Sequence, residues 1–228
     1  MGRRSARSEE GVFVVEGPSL VAQAIAAGWE IEAQFVAPGA DDVPCDAPVY
    51  ELAPNVIERV ASTEAPQPVL AVVRQRPALL PSPVDFVVVA DRLADPGNAG
   101  TIIRSAEAAG AQAVVFTTGS VDPYNPKVVR SSAGSLFRIP VLSSSLEAMH
   151  AAGLRVLATS SHQGAAYTDT DLTGPVAVVV GNEAHGVPSD APVDGWLTIP
   201  HAGPAESLNV AMAATVIAFE VARQRRQR

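Results

Sequence analysis

Five short apolar runs constrain this chain more than any other feature: Phe86 to Ala90, Ala113 to Thr117, Val156 to Ser160, Val176 to Val180 and Trp196 to Ile199. They are rich in Val, Ile and Thr and alternate with helical or loop segments. Strands that read apolar throughout are covered on both faces, the condition of a parallel sheet in an α/β fold. A smaller unit precedes them. Residues 12 to 15 form a β-like run, and residues 18 to 27 place Leu20, Val21, Ala24 and Ile25 on one helical face before Gly28 ends the helix. Residues 31 to 37, Val49 to Leu52, the helix-like Asn55 to Ala61 and Val69 to Val73 complete a small alternating α/β domain. Between the units, Pro77, Pro81 and Pro83 remove backbone donors and bias their predecessors away from helix. The expected division is residues 1–76, a linker over 77–83, and 84–228.

Charge narrows the function classes. The 228 residues carry 16 basic and 24 acidic side chains, a formal net charge of −8. Bulk positive charge cannot hold nucleic acid here, so any RNA contact has to use local patches. Lys127 is the only lysine; every other basic residue is Arg, which suits bidentate phosphate recognition and equally reflects a GC-rich genome. The candidate RNA-catching arginines are Arg92, Arg104, Arg130 and Arg138, with Arg3, Arg4 and Arg7 at the start of the chain. The single cysteine, Cys45, excludes an internal disulfide and a multi-cysteine zinc site, and no metal is expected. The basic start lacks an apolar signal-peptide core, and the longest apolar run, Val210 to Phe219, is far short of a membrane span. A cytoplasmic protein is expected.

Three loops, each following a buried strand, carry polar residues that a plain structural loop does not require. In open α/β sheets, ligands bind beyond the carboxyl ends of the strands. The first loop, Asp91 to Thr101, leads into a helix that Gly110 ends; Ile102, Ala106 and Ala109 share one face and Arg104 points away from it. Asn98 is placed as its N-cap. Taken alone, this is a capping Asn and a solvated Arg, or an amide and a guanidinium presented to a phosphate-bearing substrate. The second loop, Gly181-Asn182-Glu183-Ala184-His185-Gly186-Val187-Pro188, permits close backbone approach at its glycines and offers Glu183 as an acceptor. His185 reads as a base or as an uncommitted surface group. The third, Ile199 to Asn209, runs into a helix with Val210, Ala213, Ala214, Ile217 and Val221 as its buried stripe. Ser207 or Glu206 suits its cap, which leaves Asn209 hard to explain as structure alone. The dinucleotide, P-loop, zincin and nucleophile-elbow motifs are absent.

Together, NAGTIIRSAEAAGA (98 to 111), VVVGNEAHGVP (178 to 188) and IPHAGPAESLNVAMAATVIAFE (199 to 220) resemble the three ordered motifs of the SpoU-type, TrmH-like RNA ribose 2′-O-methyltransferases of the SPOUT superfamily. Residues 127 to 137 are similar to the family's link between its first two motifs, and 11 to 73 to its small RNA-binding domain, which is like a ribosomal protein fold. The resemblance implies a parallel sheet ending in a C-terminal trefoil knot, a rare exception to unknotted topology. It implies Asn98, Arg104, Glu183, Ser207 and Asn209 at the catalytic centre. S-adenosylmethionine would lie near Thr159, Ser160, Gly181, Gly186, Ile199 and Leu208. It implies a homodimer, and ribosomal RNA of the large subunit ahead of tRNA as substrate. Two positions depart from the family's commonest pattern: His201 stands where Met is usual, and His185-Gly186-Val187 replaces a more frequent loop sequence.

Methyl transfer to a ribose hydroxyl needs in-line geometry and removal of a proton, with the cofactor supplying the activated carbon. The resemblance gives Arg104 a part in proton removal, yet a guanidinium stays protonated above pH 12 and is a poor base; gripping the phosphate beside the target ribose and stabilising the developing alkoxide is the favoured role, and proton acceptance would require a strongly perturbed site. A catalytically silent RNA-binding or ribosome-assembly protein on the same fold is the competing class. All five implied catalytic residues are present, which favours the enzyme. The alanine-rich helix 210 to 221 is expected to supply the dimer's apolar face.

Overall fold

The computed structural model describes residues 4–53, 56–57, 66–204 and 206–227. The first unit comprises α1 (Arg4–Glu10), β1 (Val12–Glu16), α2 (Pro18–Ala26), β2 (Ile31–Val36), β3 (Val49–Glu51) and β4 (Val69–Arg74). Its four strands lie in the order β1-β4-β2-β3, antiparallel except for the β2 and β3 pair. Val21 and Ala24 of α2 are buried against this sheet, and Gly28 turns the chain at φ +72°. That left-handed turn lets the N–H of Trp29 reach the carbonyl of Ala24 at 3.0 Å, a helix ending for which glycine is the natural residue. The helix expected over Asn55 to Ala61 lies outside the described residues except at 56 and 57.

The second unit is built on seven parallel strands: β5 (Phe86–Ala90), β6 (Ala113–Phe116), β7 (Val141–Ser143), β8 (Arg155–Thr159), β9 (Ala165–Ala166), β10 (Val176–Val180) and β11 (Gly195–Thr198). Their order is β7-β6-β5-β10-β8-β11-β9. Both faces are covered, as the apolar runs require. Phe86, Val88, Ala90, Val176, Val178 and Val180 join one buried cluster with the helices α3 (Pro96–Ala108), α4 (Pro126–Ser131) and α6 (Val210–Arg225). Val87, Val89, Ala177 and Val179 point the other way and pack with Leu146 and Met149 of α5 (Leu146–Ala151). Alternation across the pleat thus sends every residue of β5 and β10 into a core.

Strand order reverses where β10 inserts between β5 and β8, and the crevice beyond this point is where such sheets place ligands. α6 returns from β11 to pack on α3 and β10. Its buried residues are Ala211, Ala214, Ile217, Ala218, Glu220 and Val221. The expected stripe is therefore corrected at Val210 and Ala213, which are only half-buried. Glu220 is tolerated inside because Arg223 and Gln224 bond its carboxylate.

The two sheets share one apolar cluster. Phe13, Val15, Val21, Ala24, Val69, Ala71 and Val73 belong to the same buried set as the α3 side of the large sheet. Polar ties reinforce the seam. Arg7, only 2% exposed, pairs with Asp122 at 2.5 Å, and the indole of Trp29 donates to the carbonyl of Phe137 at 2.9 Å. Arg7 is therefore no free RNA-catching cation, and Arg3 lies outside the described residues.

Candidate active site

The site begins where β5 ends. Asp95, followed by Pro96 at the first helical position, caps α3 by accepting from the N–H of Asn98 at 2.8 Å. This corrects the expectation that Asn98 is the cap. Proline at the first position has a preset φ and no N–H to satisfy, so the residue before it takes the capping role. The Asn98 amide is thereby available across the crevice. Its Nδ2 donates to Glu183 Oε1 at 3.1 Å, and its Oδ1 accepts from Asn209 Nδ2 at 3.1 Å.

Glu183 ties the second loop to the first. Its carboxylate accepts from the backbone N–H of Asp95 at 2.9 Å and of Ala94 at 3.1 Å as well as from Asn98. Burial pushes its acidity toward the neutral form. The Asn98 amide and the backbone donors together outweigh that and hold the carboxyl below its ordinary range. The loop behind it is tightly folded: a Cβ on Gly181 would stand 2.2 Å from the carbonyl carbon of Gly186. Asn182, which sequence reasoning passed over, holds this shape. Its Oδ1 accepts from the N–H groups of Ala184 and His185, and its Nδ2 donates to the Arg92 carbonyl at 3.0 Å. His185 is exposed, its Nδ1 3.1 Å from Asn182 Oδ1.

Asn209 is itself the cap of α6, accepting from Ala211 N at 2.9 Å and Met212 N at 3.3 Å. The expectation that Ser207 or Glu206 caps the helix is corrected accordingly. One side chain caps with its oxygen and reaches Asn98 with its nitrogen, so Asn209 welds the third segment to the first. The polar relay runs Asn209, Asn98, Glu183.

These segments surround a cavity of about 710 Å³ at the carboxyl ends of β8, β10 and β11. Thr159, Ser160, Gly181, Gly186, Ile199 and Leu208 all line it, as do Glu183, Ser207, Asn209 and His201. Asn98 touches it through Glu183 and Asn209. Arg104 does not line it; its side chain is exposed on α3 and makes no hydrogen bond or ion pair among the described residues. Three of the other arginines expected to meet RNA have intramolecular partners. Arg92 pairs with Asp91 at 3.2 Å and Arg130 lies 3.9 Å from Glu16. Arg138 grips Glu107 through two nitrogens and reaches Gln23 at 2.8 Å. No group of acidic, histidine or cysteine side chains suited to a metal occurs among the described residues.

The SpoU rRNA Methylase family matches residues 85–219, and the MRM3-like substrate binding domain matches residues 1–71. The 23S rRNA (guanosine(2553)-2′-O)-methyltransferase RlmP of Bacillus subtilis is 35% identical, over 94% of this chain and 90% of its own. The 23S rRNA (uridine(2479)-2′-O)-methyltransferase of Streptomyces viridochromogenes is 34% identical, over 99% of this chain and 87% of its own. The crystal structure of the SpoU methyltransferase AviRb from Streptomyces viridochromogenes, in complex with AdoMet, superposes with a TM-score of 0.89 at 33% identity, covering 98% of this chain and 94% of that one.

Proposed function

The chain belongs to the SpoU rRNA methylase family, and on that premise we propose that it transfers the methyl group of S-adenosylmethionine to the 2′-hydroxyl of one ribose in large-subunit ribosomal RNA. The observation that carries this reading is the convergence of three separated loops on one cavity, with Asn98, Glu183 and Asn209 hydrogen-bonded in series at its wall.

The cavity fits the cofactor. Its volume lies within the ~300–1,000 Å³ usual for small-molecule sites, and it combines apolar walls with a few convergent polar groups. Leu197, Ile199, Leu208 and Ile217 offer a flat apolar lining for a purine, while Thr159 and Ser160 offer hydroxyls for polar ends. Closing Gly181 against Gly186 brings main-chain groups to the edge of the site. When bound, S-adenosylmethionine supplies an activated methyl carbon. The chain supplies position and charge. Glu183, held as an anion, fixes the 94–98 turn and with it the start of α3. Asn98 and Asn209 set the spacing of the first and third segments, and Ser207 offers a hydroxyl on the same wall.

Arg104 acts from outside the single chain's cavity. Its exposed guanidinium, without a partner among the described residues, is suited to grip the phosphate beside the target ribose and to stabilise the developing alkoxide. It reaches a reacting centre when a second copy packs nearby, which is the homodimer of this reading. In the same reading α6 is the threaded part of a C-terminal trefoil knot, residues 1–76 hold the RNA, and the enzyme works in the cytoplasm. No helix among the described residues is long and apolar enough to cross a membrane.

The two relatives act on a guanosine and a uridine at nearly equal identity to this chain, which separates ribose chemistry from choice of nucleotide. Mapping 2′-O-methyl groups across ribosomal and transfer RNA from cells with and without the protein tests the proposal. Loss of one ribose methyl in 23S rRNA is expected; a loss confined to tRNA would overturn the substrate.

A further inference from the structure

We propose that Lys127 is a phosphate-holding residue for the RNA backbone next to the target ribose, a role that rests on the RNA methyltransferase reading above. Lys127 is the one lysine of the chain, on α4, and it is turned toward the site. Its Nζ lies 3.5 Å from Asp95 Oδ2, and its Cε would stand 3.5 Å from a Cβ placed on Gly97. The stem therefore lies across the turn whose next residue, Asn98, meets Glu183 and Asn209.

Two features make this placement more than a chance surface cation. First, α4 has no slack against α3. A Cβ on Gly100 would fall 1.9 Å from Ser131 Oγ and 2.7 Å from Ser132 N, and Ser131 Oγ, which donates to the Lys127 carbonyl at 2.6 Å, lies 3.2 Å from the Pro96 carbonyl. The base of Lys127 is thus fixed relative to Asn98. Second, the neighbouring cations have short or buried partners: Arg138 holds Glu107 and Gln23, and Arg130 faces the buried Glu16. Lys127 has only a long pair, at 56% side-chain exposure, with an Asp95 whose other oxygen caps α3. Such a pair holds a lysine loosely, and a phosphate can replace the carboxylate without disturbing the cap. In a chain of net charge −8, a mobile point charge at the rim of the site recruits the anionic backbone.

The test uses full-length protein and a transcribed 23S rRNA fragment. Lys127→Ala is expected to lower kcat/KM for RNA about 10-fold or more and to reduce the slope of log RNA affinity against log salt by about one. Lys127→Arg should restore most of both, and S-adenosylmethionine affinity without RNA should be that of the parent. An unchanged kcat/KM and salt slope in the alanine variant would overturn the proposal. So would an arginine variant as impaired as alanine with a lowered melting temperature, which marks a structural role, or a fall in cofactor affinity without RNA. Failure of the parent protein to methylate ribosomal RNA would instead sink the substrate reading, and the salt slope of RNA binding alone still decides for Lys127.

Discussion

Glu183 and Asp95 sit on the two sides of one turn, and both are held as anions by donors that the fold supplies. For Asp95 the leading cause is the N–H of Asn98, with Lys127 adding to it against a burial penalty. For Glu183 burial opposes ionisation, and the Asn98 amide with the backbone donors overrides it. A carboxyl whose folded-state pKa is depressed contributes stability above its unfolded value and loses it as pH falls through the folded value. The turn should therefore be indifferent to pH from about 6 to 8 and loosen only below about pH 4. Cofactor binding followed by calorimetry should show a flat neutral plateau and an acid loss; Glu183→Gln, which keeps shape but not the acceptor pair, should lower the plateau and blunt the acid limb. Arg104 gives the complementary residue-level expectation. Exposed on α3, it can be removed without cost to packing, so Arg104→Ala should keep cofactor affinity and cut single-turnover methyl transfer by at least about 100-fold. Arg104→Lys should rescue little, because a point charge does not reproduce the planar fork. Near-parental transfer in the alanine variant would return Arg104 to an ordinary solvated side chain. At this scale the polar residues that meet beside the cavity, Asn98, Glu183 and Asn209, were legible in the sequence and their local duties were not: Asp95-Pro96 carried a cap signal that outranks Asn98, and Asn209 divides itself between capping and bridging.

Two strands buried on both faces could be read from the sequence to the residue, whereas β6 ends one residue before the expected Thr117, and β8 and β11 each begin and end one residue before the expected Val156 to Ser160 and Trp196 to Ile199. β5 and β10 occupy the same bounds as the apolar runs Phe86 to Ala90 and Val176 to Val180, because every position in them faces a core. β7 and β9 could not, since an edge strand of three or two half-exposed residues has neither an apolar run nor clean alternation. α6 shows a third case. Its small residues were expected to supply an exposed apolar face, yet Ala211, Ala214 and Ala218 point inward, where small side chains let α3 approach. What it leaves in solvent is Met212, Val216 and Phe219, at 52%, 37% and 42% exposure, one above another at helical spacing. That stripe, with Leu208 at the mouth of the cavity, is the surface on which the proposed homodimer should close. Val216→Asp combined with Phe219→Glu should yield a monomer by sedimentation and abolish methylation, while the thermal transition of the monomer stays cooperative. A dimer that persists with those charges in place would move the interface elsewhere.

Across the whole molecule, the proline-rich stretch at 77–83 suggests two units on a tether, whereas side chains from both sheets fill one core. Phe13 lies 4.7 Å from Tyr124 with the two rings tilted, and Trp29 stands edge-on to Phe137. Removing residues 1–76 would strip these contacts from the large sheet, so it could not isolate RNA binding from folding. A point change at the seam can. Asp122 accepts from Arg7 through one oxygen and from Tyr124 N through the other, and the side chains are 13% and 3% exposed in the order Asp122, Arg7. Losing the short ion pair from this buried seam costs about 3 kcal/mol. Asp122→Ala should lower the unfolding free energy by that amount, read from the shift of the urea midpoint multiplied by the m-value, without changing the cavity, because the residue lies on the β6 side of the sheet and not among those lining the site. If the first unit places RNA by being held rigidly, the variant should lose RNA affinity and regiochemical precision while S-adenosylmethionine binds as before. A variant as stable as the parent, or one whose methylation of full-length 23S rRNA is undiminished, would show that the seam does not orient the substrate.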